Sequence, residues 1–403
     1  MVSRREGDEP GRRGFLRWQV LATKALSYAG ILVLVLIVGG GVFVASGAFS
    51  MNARKGHLFF VRDLLPFARS RSVSVHASGT PPPELSLDSP AMIARGAAHY
   101  ADGCRPCHGA PGVPRDAFAE HMLPRPPSLA GGPVVADRRD VELHWVVHNG
   151  LKFAGMPSWP EGSRPDEPWS VVSFLRRIRE MEPARYRKLA GLDRERAARE
   201  LVAGDPQLTP TTARALAACT RCHGADGTGD RGGAFPNLSL LSEAYLRRSL
   251  HAFEEGTRHS GIMEAQLQPL SKGQLDDLAA YYGRQPAKPA NPAGRKEPSP
   301  EGRWARGRKI AEGEGIPERG LAPCDSCHGV AEVTETTADD DELAIYPRIR
   351  GQYAPYLRQQ LHAWNDAARG GARQEDPVVR GAHDLTPVEI ERVSSYLAEH
   401  PGR

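Results

Sequence analysis

The longest uninterrupted apolar run lies between residues 25 and 48, with no charged side chain from Ala25 to Ala48. A helix crossing a bilayer needs about 20 such residues, so the pattern predicts one membrane-spanning helix over 25–48. Arg4, Arg5, Arg12, Arg13, Arg17 and Lys24 precede it and predict a basic cytoplasmic segment over 1–24, by the excess of basic residues on cytoplasmic flanks. Arg54, Lys55, Arg62, Arg69 and Arg71 follow closely, so charge alone leaves the orientation open. AlaSerGlyAla at 45–48 also fits a cleavage site. The apolar run exceeds the roughly 7–15 residues of a signal-peptide core, which favours a retained anchor. LeuPhePheValArgAspLeuLeuProPhe at 58–67 predicts a short amphipathic piece at the membrane interface.

Beyond this point the pattern breaks into three similar units. A linker over 49–88, polar and proline-containing at 76–85, leads to a first unit at 89–182. A charged segment at 183–209 reads as a solvated helix. A second unit at 210–284, a semi-rigid Pro-rich linker at 285–301 and a third unit at 302–403 follow. AlaTyrLeuArgArgSerLeuHisAlaPhe at 244–253 recurs as ProTyrLeuArgGlnGlnLeuHisAlaTrp at 355–364, so units two and three are duplicates. Pro236–Leu238 matches Pro347–Ile349, and Pro127–Leu129 is the first unit's more distant version. Each unit closes on a helical pattern, at Trp169–Leu175, Leu275–Tyr282 and Ile390–Leu397. The last is preceded by a Thr386-Pro387-x-Glu389 start signal. The predicted fold class is all-α: one N-terminal transmembrane helix and three small helical domains.

Composition sharpens this picture. The net charge of +4 argues against a nucleic-acid partner, and 42 Gly with 34 Pro fit small domains joined by extended linkers. Units this small have poor surface-to-volume economy and often need a covalent or cofactor staple. The six cysteines supply one, in CRPCH at 104–108, CTRCH at 219–223 and CDSCH at 324–328. C-x-x-C-H is the attachment sequence for c-type haem. Positions i and i+3 of a helical turn face the same way, so Cys104 with Cys107, Cys219 with Cys222, and Cys324 with Cys327 can each reach two vinyl groups of one porphyrin. His108, His223 and His328 then project toward the iron as proximal ligands. Zinc would need a fourth ligand in each package, and a dithiol would not need the His. Thioether attachment occurs outside the cytoplasm, so residues 50–403 are expected in the periplasm, on a single-pass anchor in the inner membrane.

With attachment motif, mid-domain helix and last helix in place, the exported region resembles the class I cytochrome c family. Unit one resembles the single-haem module with a GlyMetPro ligand loop, and units two and three resemble the two-domain dihaem cytochromes c. The resemblance implies three covalently bound haem c groups and electron transfer without bond-making chemistry. It implies distal Met ligands ahead of the last helices, at Met156 in GlyLeuLysPheAlaGlyMetProSerTrp and Met263 in HisSerGlyIleMetGluAla. It also implies that the carbonyls of Pro127, Pro236 and Pro347 accept a hydrogen bond from the proximal His. No Met follows His328; Val378 stands where Met263 would align, and His383 is the nearest replacement ligand, an open iron being the alternative. Met raises haem potential, so two higher-potential haems and one lower are expected.

GlyThrGlyAspArgGly at 227–232 follows a haem motif rather than a strand and reads as a loop. His144 and His148, at i and i+4, read as a polar surface stripe rather than a metal pair. The leading expectation is a respiratory electron carrier and not an enzyme, taking electrons from a quinol-oxidising complex or dehydrogenase to a terminal oxidase. An electron-transfer subunit of a membrane-bound dehydrogenase is the alternative. A haem peroxidase or gas sensor using the third iron has only the missing Met in support.

Overall fold

The computed structural model describes residues 10–48, 52, 56, 59–83, 85–202, 208–229, 232–291, 304–329, 346–371 and 384–401. Regular structure among them is helical; strand pairing is limited to isolated bridges. Met1–Leu58 and Phe59–Arg403 form two units.

The first unit holds α1, Pro10–Ala45. Its stretch Arg17–Ala45, 29 residues, is long and apolar enough to cross a membrane. At about 1.5 Å per residue it spans about 43 Å, more than the hydrocarbon core of about 30 Å. Two hydroxyls in the span are satisfied within the helix: Thr23 Oγ1 donates to Gln19 O at 3.0 Å and Ser27 Oγ to Thr23 O at 2.9 Å. The helix ends earlier than residue 48, because Gly47 turns left-handed at φ 70°.

In the second unit, α2 (Phe59–His76) extends well past the predicted 58–67 piece. Val73 and Ala77 are buried, and Ser74 Oγ donates to Glu142 Oε1 at 2.6 Å. The expected linker therefore docks on the first module instead of standing clear of it. That module contains α3 (Pro90–Gly103), α4 (Arg105–His108), α5 (Ala117–Glu120), α6 (Asp140–Asn149) and α7 (Pro168–Ile178). Tyr100, Trp169, Phe174 and Ile178 fill its core. α3 crosses α7 so closely that a Cβ at Gly96 would lie 1.8 Å from Ser170 O.

The charged segment forms α8 (Pro183–Ala190) and α9 (Leu192–Val202). It is not fully solvated: Tyr186, Ala190 and Ala198 are buried, with α8 against α3. Its charged side chains stay half-buried or exposed around those buried positions. α9 packs on α10 (Pro210–His223), which opens module two; α11 (Glu243–Glu254), α12 (Gly261–Leu267) and α13 (Lys272–Gly283) complete it around Leu216, Leu246 and Leu278. Module three has α14 (Ala305–Ala311), α15 (Asp325–His328), α16 (Ala354–Asn365) and α17 (Pro387–Glu399), with Ile310, Leu357, Ile390 and Leu397 in its core. The Thr386–Glu389 start signal forms a reciprocal capping box at α17. α11 and α16 are the repeated segments.

The modules are packed together, contrary to extended linkers. Arg95 Nε donates to Ala234 O at 2.9 Å, and Arg221 pairs with Asp102, both joining modules one and two. Between modules two and three, Asn237 N donates to Gln352 Oε1 at 2.8 Å while Gln352 Nε2 donates to Asn237 O at 3.0 Å. The start of the Pro-rich linker is tied down as well: Asn237 Nδ2 donates to Lys288 O at 2.7 Å, and Ala290 N donates to Gly351 O at 2.8 Å.

Candidate functional site

Each C-x-x-C-H package lies on a single helical turn. Cys104 O accepts from Cys107 N at 3.1 Å and from His108 N at 2.9 Å; Cys324 O accepts from Cys327 N at 3.3 Å and His328 N at 2.9 Å. The second package is the last turn of α10. All six thiols are free of disulfides. Burial pushes the first thiol of each pair, Cys104, Cys219 and Cys324, up to about 12. A catalytic dithiol or redox sensor needs a lowered thiol pKa, and the first thiol of each pair is pushed the other way. Two thiols on one face of one turn suit thioether attachment.

His108 Nδ1 lies 2.8 Å from Pro127 O, and His328 Nδ1 lies 2.7 Å from Pro347 O. A carbonyl only accepts, so Nδ1 carries the proton in both rings and Nε2 keeps its lone pair for a metal. Burial lowers both imidazole pKa values, with the proline carbonyls opposing it, so the neutral ring a metal requires is favoured. At the second package Pro236 O sits against Gly229, where a Cβ would come to 2.6 Å at φ 72°. The His223 ring lies edge-on to Phe235 and Tyr282.

Two anchors escaped the sequence reading. Tyr100 is fully buried and its hydroxyl donates to Gly109 O at 2.6 Å, directly after His108. Tyr282 does the same to Gly224 O at 3.2 Å, after His223. The aromatic closing the second unit's last helix was a signal for Tyr282; Tyr100 lies ahead of its motif and gave none. In the third package Asp325, between the two cysteines, is clamped by Arg350, whose Nε reaches Oδ1 at 3.0 Å.

Met156 and Met263 are both half-buried on the segments ahead of the last helices. The Met156 loop is closed by Leu151 N donating to Met156 O at 3.0 Å, and Met122 packs under it, its Cε 2.7 Å from a Cβ placed on Gly155. Met263 is the third residue of α12, packed with Phe253, Leu267 and Leu275; its N–H donates to the N-cap Ser260 Oγ at 3.3 Å. His383 and Val378 lie outside the described residues. His251, the counterpart of His362, is engaged by Asp276 at 2.9 Å.

Beside Cys327 and His328 is a cavity of about 190 Å³, lined mainly by apolar side chains such as Ile349, Leu357 and Leu397, with Leu241 and Tyr245 contributed by module two. An apolar cleft flanked by two thiols and a metal-ready imidazole offers the lining chemistry a porphyrin would use. His144 corrects the surface-stripe expectation: it is buried, tilted against the Trp169 ring with centroids 4.4 Å apart, and donates from Nε2 to Pro165 O at 2.6 Å. The apolar cover comes from α7, which no local pattern around residue 144 could reveal.

Residues 91–175 match the family model described as cytochrome c oxidase, cbb3-type, subunit III, and residues 212–282 match the one described as cytochrome c. Among curated proteins, the chain is 33% identical over 193 residues to a thiosulfate dehydrogenase electron acceptor of Thiomonas intermedia, covering 46% of this chain and 79% of the relative. It is 33% identical over 199 residues to a cytochrome c4 of Thiocapsa roseopersicina, covering 48% and 92%. Among solved structures, thiosulfate dehydrogenase from Marichromatium purpuratum aligns with a TM-score of 0.38 and 30% identity over 51% of this chain and 39% of that one.

Proposed function

The chain belongs to the class I cytochrome c family, and from that premise we propose that it is a membrane-anchored, three-haem electron carrier working in the periplasm. Electron transfer by covalently held haem c is what its relatives support. The finer reading assigns one haem to each module, at 89–182, 210–284 and 302–403. Bound haem would supply a one-electron iron couple; the chain's own residues hold and tune it. The thiols of Cys104/Cys107, Cys219/Cys222 and Cys324/Cys327 are the attachment points, with His108, His223 and His328 as proximal ligands. Met156 and Met263 take the distal positions, and His383 is assigned the third. Pro127 and Pro347 orient their imidazoles through the Nδ1 bonds, and Pro236 is assigned the same role at His223.

The observation that carries this reading is the repeated package: two thiols and a His on one turn, with the His tautomer fixed by a proline carbonyl at His108 and His328. Alkaline pyridine haemochrome absorbance against protein mass tests it. Three haems per chain are expected, falling by one for each Cys-pair-to-Ala variant; two or fewer in the parent chain would refute the assignment. The first helix is read as the inner-membrane anchor, with electrons passing from a quinol-oxidising complex or dehydrogenase to a terminal oxidase. The relative named as a thiosulfate dehydrogenase electron acceptor favours a second reading, in which the donor is a sulfur-compound dehydrogenase. Reduction of the purified chain by such an enzyme, compared with reduction by a quinol-oxidising complex, separates the two.

A further inference from the structure

One carboxylate joins the two methionine segments across the boundary between modules one and two. Glu167, at the start of α7, is 4% exposed. Its Oε2 accepts from Trp159 Nε1 at 2.9 Å, three residues beyond Met156. The same oxygen accepts from Gly261 N at 2.9 Å, two residues before Met263. Its Oε1 accepts from Ser260 Oγ at 2.7 Å, and Ser260 Oγ in turn accepts the Met263 N–H at 3.3 Å. A Cβ on Gly261 would fall 2.5 Å from Trp159 Nε1, so the two segments touch as closely as backbone permits. The guanidinium of Arg164 supports the arrangement from below, bound to Asp166 through Nε and Nη2 at 2.7 Å each and donating to His259 O at 2.7 Å. Gln359 Nε2 of module three donates to Asp166 at 3.0 Å, so all three modules meet here.

We propose that Glu167 is a positioning residue shared by the two methionine segments, so that a side chain of module one sets the Met263 segment of module two and couples ligation at the first two irons. This rests on Met156 and Met263 being the distal ligands. The physical reason lies in what the carboxylate cannot surrender. Trp159 Nε1 and Gly261 N are donors only, and a buried donor left without an acceptor costs about 1–3 kcal/mol. Relief would swing each segment toward water, and each segment carries its methionine within three residues of the released donor.

The test uses the full-length, haem-loaded protein. Glu167→Leu removes both acceptor oxygens; Trp159→Phe removes one donor and keeps the ring. Readouts are the far-red Met-to-iron charge-transfer absorption of the oxidised protein and a potentiometric titration of all haems. Met156→Ala and Met263→Ala assign the bands and test the parent reading, which fails if either leaves the absorption intact. With that reading upheld, Glu167→Leu should weaken the absorption at both sites and lower both reduction constants at least tenfold, about 59 mV for a one-electron couple. The third haem should not move. A Glu167→Leu protein that melts earlier, with both constants within about twofold of the parent, overturns the proposal. Should that variant not accumulate, Trp159→Phe decides: a shifted second haem upholds the coupling, and an unchanged second haem refutes it.

Discussion

Replacing Tyr100 with Phe isolates one atom at the first attachment turn. The Tyr100 hydroxyl is fully buried and donates at 2.6 Å to Gly109 O, and among the described residues no other hydrogen bond reaches that oxygen. Burial raises the Tyr100 pKa, so the hydroxyl stays a donor throughout the accessible pH range. Tyr100→Phe keeps the ring and its contact with Phe174 at 5.1 Å, so no cavity larger than one oxygen forms. The loss is then that of a buried carbonyl left unsatisfied, about 1–3 kcal/mol. Tyr282→Phe makes the equivalent change after His223, with a different outcome. Its bond to Gly224 O is longer, 3.2 Å, and Gly224 O also accepts from Gly227 N at 3.4 Å. That carbonyl keeps a partner, so the loss should be about 1 kcal/mol or less. The assay is denaturant unfolding of the haem-loaded chain, following the midpoint at unchanged slope. Tyr100→Phe within about 0.5 kcal/mol of the parent, the ordinary spread for inconsequential substitutions, would refute the reasoning. So would a Tyr282→Phe loss larger than that of Tyr100→Phe.

Gly96→Val should abolish accumulation of haem-loaded module one, because even a Cβ meets Ser170 O at 1.8 Å; normal haem content in the variant would contradict the α3–α7 crossing. Burial pushes His99 down to about 3 and His144 down to about 4. Their folded-state values lie below the unfolded value of about 6.5, so the unfolded chain binds more protons as pH falls. Stability from these sites is therefore intact above about pH 6.5 and lost as pH drops toward 3 to 4; unfolding midpoints of a His99→Gln, His144→Gln protein should decline less over that window. Arg350→Gln should cost about 1.5–3 kcal/mol for its charged hydrogen bonds to Asp325. Spectral change should be confined to the third haem, and a change at the first or second would count against the assignment.

What was legible in the sequence was local. The C-x-x-C-H turns, the Thr386–Glu389 capping box and the closing helices follow from i, i+3 and i+4 spacing, which the backbone of a helix imposes wherever the residues lie. The duplicated α11 and α16 segments were visible for the same reason. Partners distant in sequence were not. Glu167 with Ser260, Asn237 with Gln352 and Arg95 with Ala234 are pairs that no window of the chain contains. Read locally, the charges of 183–209 and the His at 144 suggested solvent; burial depends on what another helix covers, and α3, α7 and α10 supplied that cover. The linkers misled in the same way, since proline and polar residues lower the tendency to form helix without forbidding a docked, hydrogen-bonded strap. The sequence alone thus determined that each pair of thiols and its His share one helical turn, because that spacing is fixed by the helix itself. Only the tertiary structure decided that the three modules share buried polar contacts, because their energy depends on desolvation by neighbours that the order of residues does not name.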